Sequence, residues 1–132
     1  MADKITFDLV SPERLLLSDQ ADMVTVPGTD GYMGVMAGHA PVISTLRPGT
    51  IDVQGATQGD VRYFIRGGFV EVSPGKITVL AEEALPMAEV DLSVLDQRIR
   101  DAEEDVAAAK SDSERARAAE TLDDLKQVRA AF

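Results

Sequence analysis

Over residues 1 to 88 apolar and polar positions follow the rhythm of strands. Ile5, Phe7 and Leu9 alternate with Thr6, Asp8 and Val10, the period-two signature of a half-buried strand. Ser11-Pro12-Glu13 turns the chain into a second apolar run at 15–17, and a third at 23–26 is expected to end at Pro27-Gly28. Further strands are predicted at 51–53, 61–66, 69–72 and 77–81. Between them stand Gly55 to Gly59, Gly67-Gly68 and Ser73-Pro74-Gly75, all with turn chemistry. The Gly67-Gly68 pair reads either as a turn or as a close approach of two backbones. Short strands with turns at roughly ten-residue spacing predict a sandwich or barrel.

From Asp91 the pattern changes period. Glycine and proline vanish, alanine rises, and Leu92, Leu95, Ile99, Ala102, Val106 and Ala109 recur at spacings of three and four, which places them on one helix face. Asp91 is the candidate N-cap of a helix of about twenty residues, roughly 30 Å long. Lys110-Ser111-Asp112-Ser113 is predicted to be a turn. Ser111 with Glu114 three positions on has the capping-box form, with Ser113 as a competing cap. A second helix then carries Ala118, Leu122, Leu125, Val128 and Phe132 on one face, and the short connection predicts an antiparallel hairpin. Its alanine-rich seam buries little area, so the hairpin is expected to be marginal alone: either a moving part or a permanently docked one. The fold class is therefore β + α: an N-terminal β-sandwich of about ten short strands over 1–88, then a C-terminal antiparallel two-helix hairpin over 89–132.

Between the strands lies the segment 26–49, VPGTDGYMGVMAGHAPVISTLRPG. It holds glycines 28, 31, 34, 38 and 49 and prolines 27, 41 and 48, yet keeps Val26, Tyr32, Val35, Val42, Ile43 and Leu46. A disordered linker is not so rich in bulky apolar side chains, so these are defined turns of a folded domain. The segment contains the one histidine of the chain, His39.

Composition narrows the chemistry. There is no cysteine, hence no disulfide framework and no thiolate metal site. The formal charge of −10 argues against nucleic acid and against direct binding to anionic lipid. No apolar run approaches the ~20 residues of a membrane-spanning helix. The segment from Met1 to Ser11 contains Asp3, Lys4 and Asp8 and lacks the apolar core of a secretory signal. His39 has no second histidine or cysteine beside which to act, so catalytic triads and histidine-paired metal sites are not expected. Glu82-Glu83 and Glu103-Glu104-Asp105 read as solvated faces, and glycines 28, 31 and 34 lack a Walker ending. No catalytic, cofactor-binding or metal residue is assigned. An interaction protein is the expectation, against two rivals: an unrelated β-sandwich module with a helical oligomerisation tail, and a small carboxylate metal hydrolase.

Four blocks in order carry a specific resemblance: FDLVSPERLLLS at 7–18, VPGTDGYMGVMAGHAPVISTLRPG at 26–49, IRGGFVEVSPGKITVLAEEA at 65–84, and the alanine-rich tail from Asp91. With them the chain closely resembles the epsilon subunit family of the F-type ATP synthase (delta in the mitochondrial naming). The resemblance implies the same two-part fold and a noncatalytic place in the central stalk, without cofactor. There the sandwich would lock the gamma subunit to the membrane ring of c subunits during rotary ATP synthesis. It also implies a peripheral position on the cytoplasmic face of a bacterial inner membrane.

Carried over by residue, the turn Thr29-Asp30-Gly31-Tyr32 aligns with the family's c-ring contact, where family members often have an acid at the position of Tyr32. His39, Ala40, Pro41 and Val42 align with the gamma contact. The hairpin of many bacterial members inhibits ATP hydrolysis through basic residues facing the alpha and beta catalytic subunits. The matching side chains are Arg115, Arg117, Lys126 and Arg129, nearly cancelled by Glu114, Glu120, Asp123 and Asp124, so weak or absent inhibition is expected. Some members bind ATP through an Ile/Leu-Asp-x-x-Arg-Ala motif. This chain places Ser93 at the acid and Asp96 at the arginine, and an acid facing a triphosphate is repulsive, so no ATP site is expected.

Overall fold

The computed structural model describes residues 3–132; Met1 and Ala2, at the head of the segment read for a signal, lie outside the described residues. The chain divides into two compact units, Met1–Met87 and Ala88–Phe132.

The first unit contains ten strands: β1 (Ile5–Val10), β2 (Leu15–Ala21), β3 (Met23–Gly28), β4 (Gly31–Val35), β5 (Val42–Leu46), β6 (Gly49–Gln54), β7 (Val61–Ile65), β8 (Gly68–Ser73), β9 (Lys76–Ala81) and β10 (Ala84–Pro86). They form two layers. One runs β4-β3-β6-β7-β10 and the other β5-β8-β9-β1-β2, joined where Gly28 of β3 pairs with Leu46 of β5. All pairings are antiparallel except β1 with β9, which is parallel. Alternate residues of both layers point to one core: Ile5, Phe7 and Leu9 of β1 meet Val24 and Val26 of β3, Ile51 and Val53 of β6, and Val70, Val72, Ile77 and Val79 of β8 and β9. Burying such side chains stabilises a domain by about 1.5–3 kcal/mol each. This is the expected sandwich.

Some local expectations need correction. Pro27-Gly28 does not end the third strand; β3 runs through it. The missing N–H of Pro27 is tolerated because β3 changes partner there, from β6 at Thr25 to β5 at Gly28. Gly31 and Tyr32, read as turn, open β4 instead. The Gly67-Gly68 pair is the close approach rather than a turn. Gly68 belongs to β8 with φ of 145°, and a Cβ there would collide with the carbonyl oxygen of Leu80.

A short 3-10 turn (Met87–Glu89) spans the boundary of the units, and the second unit then holds α1 (Leu92–Ala108) and α2 (Asp112–Ala130). The first helix has 17 residues, shorter than expected. Asp91 caps it, its carboxylate accepting from the N–H of Ser93 at 2.9 Å. Ser111 rather than Ser113 caps α2, accepting from the Glu114 N–H at 3.1 Å, while the Glu114 carboxylate accepts from the Lys110 N–H at 3.0 Å. That reciprocal pair is a capping box shifted back by one residue. Of the apolar stripe, Leu95, Ala102, Leu125 and Val128 are buried; Leu92 and Phe132 remain exposed, and Ala109 lies past the end of α1. Asp124 of α2 is also buried.

Candidate interaction surface

The residues aligned with ring and gamma contacts are set by two turns, one leading into β4 and the other leading from β4 to β5. Between β3 and β4 only Thr29 and Asp30 lie outside the ladder, because Gly28 pairs directly with Gly31. Glycine is needed at position 28, where a Cβ would sit 2.9 Å from the Gly31 carbonyl oxygen. The turn is tied down on both sides. The Thr29 hydroxyl lies 2.9 Å from that of Thr45 on β5, and the Tyr32 hydroxyl accepts from the Thr50 N–H on β6 at 3.2 Å. Tyr32 is nonetheless 50% exposed. Its polar tip is spent inside the sandwich, so what it offers outward is the ring.

The second turn leads into β5. Gly38 has φ of 86°, and its N–H donates to the carbonyl oxygen of Pro74. His39 is half-buried; its N–H donates to the Met36 carbonyl at 3.1 Å, and its Nδ1 lies 2.7 Å from the Ala40 carbonyl oxygen. A carbonyl can only accept, so Nδ1 carries the proton. His39 shapes its own turn and has no catalytic neighbour of histidine or carboxylate type among these contacts. Ala40 and Pro41 are exposed, and Val42 starts β5 opposite Val72. An open cleft of about 330 Å³ lies between the turns, lined by Thr29, Asp30, Tyr32, Met33, Val42 and Ser44 together with Gly28 and Gly31. The structure thus brings the ring-aligned turn and the first strand residue of the gamma-aligned segment to one concavity.

The sequence reading missed the largest part of this surface. On the outer side of the β5-β8-β9-β1-β2 layer, cross-strand register places Thr45, Phe69, Leu80, Val10 and Leu15 in one row. Phe69 is 54% exposed, Leu80 51% and Leu15 56%. In the adjacent row Ile43 is 76% exposed, followed by Glu71, Thr78 and Asp8. Asp8 accepts from the Ser18 hydroxyl at 2.7 Å, which holds its carboxyl below the usual range against the opposing effect of burial; Lys76 at 3.2 Å adds to the lowering. The signal was present in the alternation: Phe69 and Leu80 fall on the outward phase of β8 and β9, where Glu71, Ser73, Lys76 and Thr78 are polar.

On α2 the four basic residues are not brought together. Arg115 and Arg117, two apart, face opposite sides of the helix. Arg115 pairs with Asp112 at 3.1 Å and Arg129 with Asp96 at 2.9 Å. At the positions of the ATP motif, Ser93 bonds Asp91 through both N–H and hydroxyl. Among the described residues no group of three or more metal-ligating side chains converges, and no helix is long and apolar enough to cross a membrane.

Known proteins agree with this architecture. The family model described as ATP synthase, Delta/Epsilon chain, beta-sandwich domain matches residues 4–87. The ATP synthase epsilon chain of Parvibaculum lavamentivorans is 57% identical over 129 residues, covering 98% of each chain. That of Mesorhizobium japonicum is 45% identical over 132 residues, covering all of this chain and 98% of its own. Among solved structures, a chain of the Euglena gracilis mitochondrial ATP synthase OSCP/F1/c-ring assembly superposes with a TM-score of 0.80 at 25% identity, over 97% of this chain and 81% of that one. A chain of the Tetrahymena thermophila mitochondrial central stalk and c-ring shares the fold, with a TM-score of 0.68 at 13% identity over 98% and 97% of the two. Matched over its sandwich by one family model and nearly end to end by relatives of one name, the chain belongs to the delta/epsilon family of ATP synthase subunits.

Proposed function

We propose that this chain is a noncatalytic central-stalk subunit whose sandwich couples the gamma subunit to the ring of c subunits. The observation that carries the reading is the outward apolar row of Phe69, Leu80, Val10 and Leu15, flanked by Ile43, which lies one residue beyond the His39–Val42 turn. An exposed sheet face of this kind marks a protein contact, since monomers keep such patches small. Gamma docks on this face and on the turn at His39. The ring meets the Thr29-Asp30 turn and the Tyr32 ring. Torque requires a stiff attachment, and the hydroxyls of Thr29 and Tyr32 anchor that turn to two neighbouring strands. With a charge of −10, the subunit is held by protein contacts at the cytoplasmic face of the membrane rather than by anionic lipid. Its tail inhibits ATP hydrolysis weakly at most, because two of the four candidate basic residues are engaged within the hairpin.

The test is copurification from solubilised membranes with the full chain as bait. Gamma and c subunits are expected with the native sequence. Phe69→Ser with Leu80→Ser should keep the melting temperature but lose gamma, since a central apolar anchor contributes ~2 kcal/mol or more, about thirtyfold in affinity. Tyr32→Ala should lose the ring while retaining gamma. If neither subunit copurifies with the native chain the function fails; if the double variant holds gamma fully, the assigned face is wrong.

A further inference from the structure

We propose that the Asp96–Arg129 ion pair is the clasp that holds the open end of the C-terminal hairpin shut. The two residues are 33 positions apart, one near the start of α1 and the other near the end of α2, so their bond ties the ends the connecting turn leaves loose. Arg129 Nε donates to Asp96 Oδ1 at 2.9 Å, a charge-assisted bond of good length. Helix ends without a covalent neighbour fray first, and the opposite end is already secured by the chain and by the Ser111 capping box.

The clasp matters because the seam beneath it is slight. The buried apolar side chains of the helices are Leu95, Ala102, Leu125 and Val128, and an alanine contributes almost no area. Leu95 and Val128, both buried, immediately precede Asp96 and Arg129, so the ion pair borders the buried side chains of the open end. In a hairpin with a large core an exposed pair would be incidental. Here a small bias is a large fraction of what keeps the helices together.

The Arg129 guanidinium is 39% exposed and aims its Nε at Asp96. The bond uses one of the five N–H donors of the guanidinium, so its loss leaves Arg129 charged and solvated while Asp96 loses its partner on the other helix. Screening salt weakens the pair and shifts the balance toward opening. This device belongs to the hairpin itself and stands whether or not the tail inhibits hydrolysis.

Amide hydrogen exchange on the full-length chain tests it. Asp96→Asn and Arg129→Gln should each speed exchange over residues 123–130 by about two- to fivefold, the range an exposed ion pair supports. Exchange in the β-sandwich should not move, which separates clasp loss from global destabilisation. The exchanged pair, Asp96→Arg with Arg129→Asp, should recover most of the protection. Raising salt from low to high should speed α2 exchange in the native chain but not in the single variants. Unchanged exchange in both single variants, or an exchanged pair no better than either, would overturn the clasp.

Discussion

At Gly68 the backbone takes φ of 145°, and a Cβ would run into the carbonyl oxygen of Leu80 on the paired strand. Gly68→Ala therefore faces both a disfavoured conformation and a backbone collision, and should cost about 1–3 kcal/mol in chemical denaturation. The damage falls on the β8–β9 pair that carries Phe69 and Leu80. In the sequence that glycine was legible only as one of two alternatives, a turn or a close approach. Asp8 was not, because its partners Ser18 and Lys76 are set by strand register, which no local pattern displays. Its carboxyl is lowered from the ordinary 3.8, first by the Ser18 hydroxyl, against desolvation, and then by Lys76. The sign follows from proton binding: between the folded and unfolded values the unfolded chain holds more protons, so stability rises with pH there. The contribution is complete above 3.8 and is lost as pH falls through the folded value. The stability of the native chain relative to Asp8→Asn should thus be positive near neutrality and shrink as the solution is acidified below 3.8, read from paired denaturation curves across pH.

Among the elements, helices were easier to read than strands. Asp91 and Ser111 announce α1 and α2 because a cap is a local device: one side-chain oxygen and one N–H two or three residues on. Ser111→Ala removes that acceptor and should cost about 0.5–2 kcal/mol, seen as faster amide exchange in the first turn of α2 with the sandwich unaffected. A Ser113→Ala control should be near neutral, since Ser113 touches Ser111 only at 3.3 Å and caps nothing. The strands β4, β5 and β10 were not individually legible. In β4 the glycines at 31 and 34 interrupt the period-two signal, and Gly34 is small because Met23 lies across from it: a Cβ would stand 3.2 Å from the Met23 sulfur. β10 is only three residues long and exists through its pairing with β7. The two ring-aligned residues that proved to be strand, Gly31 and Tyr32, belong to the same blind spot. Periodicity shows which way a side chain faces but not which hydroxyl it will find, so the Tyr32 bond to Thr50 came only from the fold.

For the whole molecule, the division of labour between the units leads to a prediction about truncation. Every residue of the hydrophobic core cluster lies between Ile5 and Ala81, so the sandwich holds its core within its own unit. The apolar side chains buried in the hairpin are Leu95, Ala102, Leu125 and Val128, with Asp124 buried among them, and the ion pair between Asp96 and Arg129 is of the exposed kind. Helices in proteins draw most of their stability from tertiary packing, which four apolar side chains supply only sparingly. A chain ending at Met87 should therefore unfold in one cooperative transition with its β spectrum intact. A peptide of residues 88–132 should melt broadly, without a cooperative midpoint. The outward row of Phe69, Leu80, Val10 and Leu15 lies wholly in the first unit, so the truncated chain should also retain gamma in copurification. A truncated chain that is folded but no longer retains gamma would move the docking face into the hairpin. One that fails to fold would show that the core between Ile5 and Ala81 is insufficient by itself.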